Sequence, residues 1–248
     1  MTRVAVVTGG ASGIGLGVAT RLAADGHAVA VLDRNGPGAK AAADALEAGG
    51  AAALAVEVDV ADWSAARDAV ATVRRGLGPV GILVTSAGIE AFDPLLEISP
   101  ERWGQIIAVN LTGTFACCQA AVPDMIEAGW GRIVTISSQS AQSGAPNMAH
   151  YSASKGGVIA LTKSLAVDLA RQGITVNTIA PSIVDTPMAR AATASGDFPG
   201  IDVIGPMVPL GRAGTPADIA ACCSYLCSEE GGSYITGQLI AVNGGMYI

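Results

Sequence analysis

A tyrosine and a lysine stand four positions apart in the stretch HYSASKGG, as Tyr151 and Lys155. On a helix, residues at this spacing share one face. A free tyrosine keeps its proton to about pH 10. A neighbouring cation favours the phenolate, so the pair could act as an acid or base near neutral pH. An exposed ion-dipole pair of no consequence would be spelled the same way, and the rest of the chain must decide between the two.

A second group of residues has the chemistry of a phosphate site. In VAVVTGGASGIGLGVATRLA, an apolar run is followed by glycines at Gly9, Gly13 and Gly15 and then by a helical pattern. Gly9 permits a tight turn, while Gly13 and Gly15 let backbone and helix N-terminus approach a pyrophosphate. Ser12 and Ile14 belong to the same turn. The next run, HAVAVLD, ends at Asp33, close to the expected distance of about 20 residues. A carboxylate there accepts hydrogen bonds from both hydroxyls of an adenine ribose and repels a 2′-phosphate. The turn carries no basic residue, although Arg34 follows Asp33. NAD is therefore favoured over NADP.

The elements that must position these residues follow a regular order. Strands are predicted at Arg3–Thr8, Ala28–Leu32, Ala52–Val58, Ile82–Thr85, Arg132–Ser137, Thr175–Ala180 and Gln238–Val242. Helices are predicted at Gly13–Asp25, Gly38–Ala48, Trp63–Gly76, Pro100–Ala128, Ser152–Gln172 and Pro216–Ser228. Runs such as VAVVT and GILVT are apolar on both faces, as central parallel strands must be. The expected fold is α/β: a single doubly wound Rossmann-type domain over residues 1–248, with a seven-stranded parallel sheet and helices on both faces. The segment from Pro187 to Pro209 has no clean period and reads as a lid over the site.

Composition narrows the function. Of 248 residues, 50% are hydrophobic and 14% charged, enough for a large core, and the net charge is −7. Without a Lys/Arg-rich block, nucleic acid and anionic membranes are not expected partners. Early glycines interrupt any signal-peptide core, and no apolar run nears the roughly 20 residues of a membrane span. The expected location is the cytoplasm. The five cysteines lack C-x-x-C spacing and read as reduced core residues; the two histidines, His27 and His150, form no ligand motif. No protein metal site is expected.

Taken with TGGASGIG at Thr8–Gly15, the YSASK element makes the chain resemble the short-chain dehydrogenase/reductase family over essentially its whole length. The resemblance implies further roles. Asp59 and Val60 match the pair that contacts the adenine ring. TSAG, Thr85–Gly88, stands where the family has N-N-A-G, placing Ala87 and Gly88 beside the nucleotide and leaving Thr85 and Ser86 to supply the usual strand-stabilising bonds. Asn110, in NLTGTF, is similar to the family's active-site asparagine. Ser138, thirteen residues before Tyr151, matches its serine. APSIVDTPM resembles P-G-x-V-x-T, with Ser182 in place of the glycine; Pro181, Ile183 and Thr186 would then bind the cofactor, the last two at the nicotinamide carboxamide.

On this reading Tyr151 removes the alcohol proton as hydride leaves for nicotinamide C4, or returns it in reduction. Lys155 and the oxidised nicotinamide would together bring the phenol to a pKa of about 7, which takes roughly 4 kcal/mol. Ser138 holds the substrate oxygen, Lys155 also binds the nicotinamide ribose, and Asn110 holds a water linking Lys155 to solvent. Met188, Phe198, Ile201, Val203, Ile204 and Met207 form an apolar lid in which only Arg190 is basic. That favours a small hydrophobic secondary alcohol or ketone, of the hydroxysteroid or alicyclic class. The C-terminal YITGQLIAVNGGMYI resembles 3-oxoacyl thioester reductases, which prefer NADP and stand as the alternative. A non-catalytic nucleotide-binding scaffold on the same fold is the third reading. Helices Pro100–Ala128 and Ser152–Gln172 are apolar on more than one face, so a homotetramer is expected.

Overall fold

A computed structural model describes residues 2–248. Its sheet follows from the sequence pattern. In β1 (Val4–Thr8), Val4 and Val6 belong to one apolar cluster, and Ala5 and Val7 to the other. A strand whose alternate side chains enter two different cores must be covered on both sides. The remaining strands are β2 (Ala28–Asp33), β3 (Ala53–Glu57), β4 (Val80–Thr85), β5 (Gly131–Ile136), β6 (Ile174–Pro181) and β7 (Leu239–Val242). All pair in parallel, in the order β3-β2-β1-β4-β5-β6-β7. The order reverses between β1 and β4, which opens a crevice at the carboxyl ends of the strands.

Eleven α-helices are present among the described residues: α1 (Gly13–Ala24), α2 (Gly36–Ala48), α3 (Trp63–Gly76), α4 (Pro100–Ile107), α5 (Gly113–Ala128), α6 (Ser140–Ser143), α7 (Ala149–Leu169), α8 (Pro187–Ser195), α9 (Ile201–Ile204), α10 (Pro216–Cys227) and α11 (Glu229–Gly232). Val70 of α3, Met125 of α5 and Ala166 of α7 fill one core, while Leu22 of α1, Leu46 of α2 and Ile219 of α10 fill the other. Helix starts are set by side chains that accept from otherwise unpaired backbone N–H groups. Asp62 accepts from Ala65, Ser99 from Arg102 and Asn35 from Gly38, and Thr215 and Asp218 form a reciprocal capping box.

Two elements differ from the sequence expectation. The run Pro100–Ala128 is not one α-helix, because residues Ala108–Thr112 form a π-helical turn. Such a turn inserts one residue and re-aims side chains locally, and here it turns Asn110 fully inward. This 29-residue run, which contains an 18-residue window of mean hydropathy 1.4, has the length and composition to cross a membrane. In the fold its inner face packs instead on the sheet and α3. The presumed loop from Pro187 to Pro209 contains α8 and α9. Thr186 caps α8 by accepting from the Ala189 N–H at 3.2 Å, and Pro187 starts it.

Cys117, Cys118, Cys223 and Cys227 are buried and Cys222 half-buried, all as free thiols. Burial pushes Cys117 up to about 12 and Cys222 to about 11. Because the thiolate is the reactive form, the native protein at pH 8 should leave its thiols essentially unlabelled by a disulfide-exchange reagent. All five should react once it is unfolded. Prompt labelling of two or more thiols in the native state would contradict the packing.

Candidate active site

The turn between β1 and α1 is built around glycine. Gly9 has φ +66°, and a Cβ there would lie 2.8 Å from Ala87 Cα. A Cβ at Gly15 would run into the Gly9 carbonyl, so that glycine is needed for the packing of the turn itself. Gly13, at φ +52°, sits 3.4 Å (as a hypothetical Cβ) from Thr186 Cβ, which brings the start of α1 against the segment after β6. Ser12 is the N-cap of α1 but makes no side-chain capping bond, leaving its hydroxyl for other partners.

Asp33 ends β2 beside this turn. Its Oδ2 accepts from the Ala11 N–H at 3.1 Å and its Oδ1 from the Asn35 N–H at 2.9 Å. A carboxylate offers about four acceptor positions, so each oxygen can accept one bond more. Asp33 therefore braces the glycine turn while remaining able to receive two vicinal hydroxyls. Next to it Val58 and Val60 are buried, and Asp59 is held by the Ala61 N–H at 2.9 Å. Thr85 does not supply the strand-stabilising bond expected of it: its buried hydroxyl has no partner. The hydroxyl of Thr8 on the neighbouring strand accepts from the Ala87 N–H at 3.1 Å instead. The bond crosses between strands, which the local sequence around Thr85 cannot show.

Ser138 follows β5, and Tyr151 and Lys155 lie one turn apart on α7. The backbone fixes the lysine twice: its Nζ donates to the Ile136 carbonyl at 2.9 Å, and its own carbonyl accepts from the Ser137 hydroxyl at 2.9 Å. Ser138 Oγ accepts from the backbone N–H and the hydroxyl of Ser140, at 3.2 and 3.0 Å. Lys155 Nζ lies 5.8 Å from the centre of the Tyr151 ring.

Asn110 lies beside this group, with its side chain fully bonded. Its amide donates to the Ile89 carbonyl at 2.9 Å and to Ser154 at 3.0 Å, and it accepts from the Ile89 N–H at 2.9 Å. Its backbone carbonyl accepts from Thr114 Oγ1 at 2.8 Å. With these bonds made, Asn110 does not reach the cavity and clamps the loop after β4 onto α7. Its side chain acts in positioning, and its backbone carbonyl, with one bond from Thr114, keeps a second acceptor position.

The electrostatics of the chain without its nucleotide set the starting point for the ionisation expected of Tyr151. Burial, with the nearby Glu90 carboxylate second, pushes the Tyr151 phenol up to about 12; a hydrogen bond from Ser138 opposes this. Burial brings Lys155 down to about 8, against an opposing pull from Glu90. The protein alone therefore does not produce a phenolate at neutral pH. Desolvation disfavours every charged form, and for the phenol it is the largest cause.

One cavity of about 680 Å³ joins these groups. It is lined by Gly9, Ser12, Gly13, Ile14, Gly15, Asp33, Asp59, Val60, Ala87, Gly88, Ser138, Tyr151, Lys155, Pro181, Ile183, Thr186 and Met188. Of the lid residues Met188 and Phe198 reach it, whereas Ile201, Val203, Ile204 and Met207 do not. Short helices turn the second half of that segment outward, leaving Val203 and Met207 exposed. Sequence reasoning missed Glu90, Phe92, Gln139, Met148 and Met246, all on the wall. Position just beyond the carboxyl end of β4 was the signal for Glu90 and Phe92; Met246 is brought in by the return of the chain after β7.

The cavity thus has one end suited to a ribose and pyrophosphate and another suited to proton transfer, at the topological switch point of a parallel sheet. That division of labour defines a dinucleotide-dependent oxidoreductase. A family profile described as enoyl-(acyl carrier protein) reductase matches residues 9–247. The chain is 40% identical over 247 residues to an acetoacetyl-CoA reductase of Rhizobium meliloti, covering 100% of this chain and 99% of that one. It is 40% identical over 246 residues to the 3-oxoacyl-[acyl-carrier-protein] reductase MabA of Mycobacterium bovis, covering 99% and 93%. A solved structure of a putative short-chain alcohol dehydrogenase from Sinorhizobium meliloti superposes with a TM-score of 0.92 at 35% identity, covering 99% and 96%. The chain belongs to the short-chain dehydrogenase/reductase family, enzymes that use a nicotinamide cofactor.

Proposed function

We propose that the chain reduces a 3-oxoacyl thioester to its 3-hydroxy form, and runs the reverse oxidation, with NAD(H) as its nucleotide. This reverses the substrate order favoured by the sequence, because the whole-length relatives are named for 3-oxoacyl thioester chemistry. One observation carries the nucleotide assignment: Asp33 presents its carboxylate to the cavity wall with both oxygens already oriented by backbone N–H groups. A 2′-phosphate there would meet like charge, and Arg34 is the cation nearest in sequence to offset it.

The nicotinamide supplies or accepts the hydride. Everything else falls to the chain. Ser138 orients the substrate oxygen, and Tyr151 gives that oxygen a proton in reduction and takes it back in oxidation. Lys155, held by the Ile136 carbonyl, places a positive charge near both the phenol and the nicotinamide ribose. Gly13, Ser12 and the α1 N-terminus would hold the pyrophosphate of the nucleotide, and Ile183 and Thr186 would hold its nicotinamide end.

A second reading, a hydrophobic secondary alcohol or ketone, is favoured by Met188 and Phe198 on the wall. It is favoured further by Arg190, whose guanidinium is committed to Asp185 at 2.7 and 2.8 Å. That leaves the lid without a free cation for a phosphate-bearing carrier. Initial rates on acetoacetyl thioesters, steroid ketones and alicyclic ketones, each with NADH and NADPH, separate the readings. Thioester reduction faster with NADH supports the first. Turnover confined to the ketones supports the second.

The assembly is proposed to be a homotetramer. Trp103 on α4, Ile126 on α5 and Val167 on α7 are 44%, 47% and 80% exposed, leaving apolar surface uncovered on the helices expected to pair. Light scattering at micromolar concentration should give four times the chain mass. A monomeric mass would remove this proposal.

A further inference from the structure

Glu90 is the one carboxylate whose charge acts on both Tyr151 and Lys155. It shares their cavity wall. Its neighbours hold it there. Ile89 exchanges two 2.9 Å hydrogen bonds with Asn110, Ala91 is buried, and the Asp93 N–H donates to the Asn147 carbonyl at 2.8 Å. The loop is thus stapled on both sides of a half-buried acid that makes no hydrogen bond or ion pair of its own among the described residues. A half-buried charge left without a partner is costly, and nothing in the packing of the loop requires it. The other charges nearby are committed elsewhere: Asp93 accepts from Arg102 Nε at 3.0 Å and lies 2.9 Å from His150 Nε2.

We propose that Glu90 sets the pH window of the site, keeping the Tyr151–Lys155 pair protonated through neutral pH so that the enzyme serves mainly as a proton donor to a carbonyl. In the step it governs, the carbonyl carbon gains the hydride from the reduced nucleotide and the carbonyl oxygen gains the Tyr151 proton; Glu90 exchanges nothing. A negative charge beside a phenol disfavours phenolate, and beside an ammonium it favours the charged form. The directions at the three groups agree: Glu90 raises both Tyr151 and Lys155, while burial raises Glu90 itself against the pull of Lys155. Glu90 is a tuning residue that acts through the other two.

The proposal rests on Tyr151 as the proton carrier and is independent of the substrate's identity. The test is the pH profile of kcat/KM for oxidation of any secondary alcohol the protein turns over, in wild type, Glu90→Gln and Glu90→Asp. The glutamine variant should move both edges of the profile to lower pH by about one unit, the low end of what a neighbouring charge produces. Oxidation at neutral pH should rise roughly three- to tenfold as more base form becomes available. The aspartate variant should keep the wild-type edges. Unshifted edges in Glu90→Gln, with Tyr151→Phe inactive, overturn the proposal alone; an active Tyr151→Phe overturns the reading beneath it. Should oxidation be too slow to profile, phenolate absorbance of Tyr151, taken as the difference from Tyr151→Phe, serves instead. It should appear at lower pH in Glu90→Gln than in the wild-type background, and coincident titrations would reject the idea.

Discussion

Tyr151→Phe should lower kcat by about a thousandfold, within the range that a positioned acid or base supplies, while NAD binds nearly as before. The substitution removes one hydroxyl. The ring remains, so the packing around α7 persists, and the bonds that fix Lys155 to Ile136 and Ser137 do not involve the phenol. What disappears is the proton that must reach the substrate oxygen as hydride reaches its carbon. Lys155→Met should behave differently and lose both turnover and nucleotide affinity, because it removes the buried ammonium proposed to bind the nicotinamide ribose. Steady-state rates and nucleotide titration by fluorescence separate the two variants. A Tyr151→Phe enzyme keeping more than a few per cent of wild-type kcat would rule out the phenol as the proton carrier.

Asp33→Ala should weaken NAD by about one to two orders of magnitude, the equivalent of a charge-assisted hydrogen bond worth roughly 1.5–3 kcal/mol. Two effects add. The ribose hydroxyls lose their acceptors, and the glycine turn loses its brace at the Ala11 N–H. NADP use should rise over the same change, since the like charge that repels its 2′-phosphate is gone and Arg34 remains beside the site. Wild type should prefer NAD by at least roughly tenfold in kcat/KM, about 1.4 kcal/mol. Dissociation constants and kcat/KM for both nucleotides check this. A wild type that favours NADP would reverse the nucleotide assignment and leave Asp33 as a structural brace only.

Much of the fold was legible in the sequence because parallel strands and their helices leave strong local marks. VAVVT and GILVT are apolar on consecutive residues, and only a strand buried on both faces needs that. Glycines at Gly9 and Gly15 stand where a Cβ would strike backbone, so the turn advertises itself. Thr186-Pro187 was an equally local signal for α8, a capping residue followed by proline, and it was overlooked in a segment judged by its period alone. The π-helical turn at Asn110 left no such mark. Asn110 within it bonds to Ile89 and Ser154, residues far from it in the chain, and only the folded structure brings those partners together.

The sequence by itself determined which groups meet: a glycine turn, the Asp33 carboxylate, and Ser138, Tyr151 and Lys155 at the ends of neighbouring elements. Their types and spacing follow from strand and helix geometry, which is local. Tertiary structure decided how those groups behave. Spacing places a lysine one turn from the phenol, but it cannot show that burial raises that phenol in the chain without its nucleotide, because desolvation and charge depend on what every other part of the chain brings near. The same reason made the Asn110 side chain a clamp on the loop after β4, gave the brace at Ala87 to Thr8 instead of Thr85, and sent four of the six apolar lid residues away from the cavity.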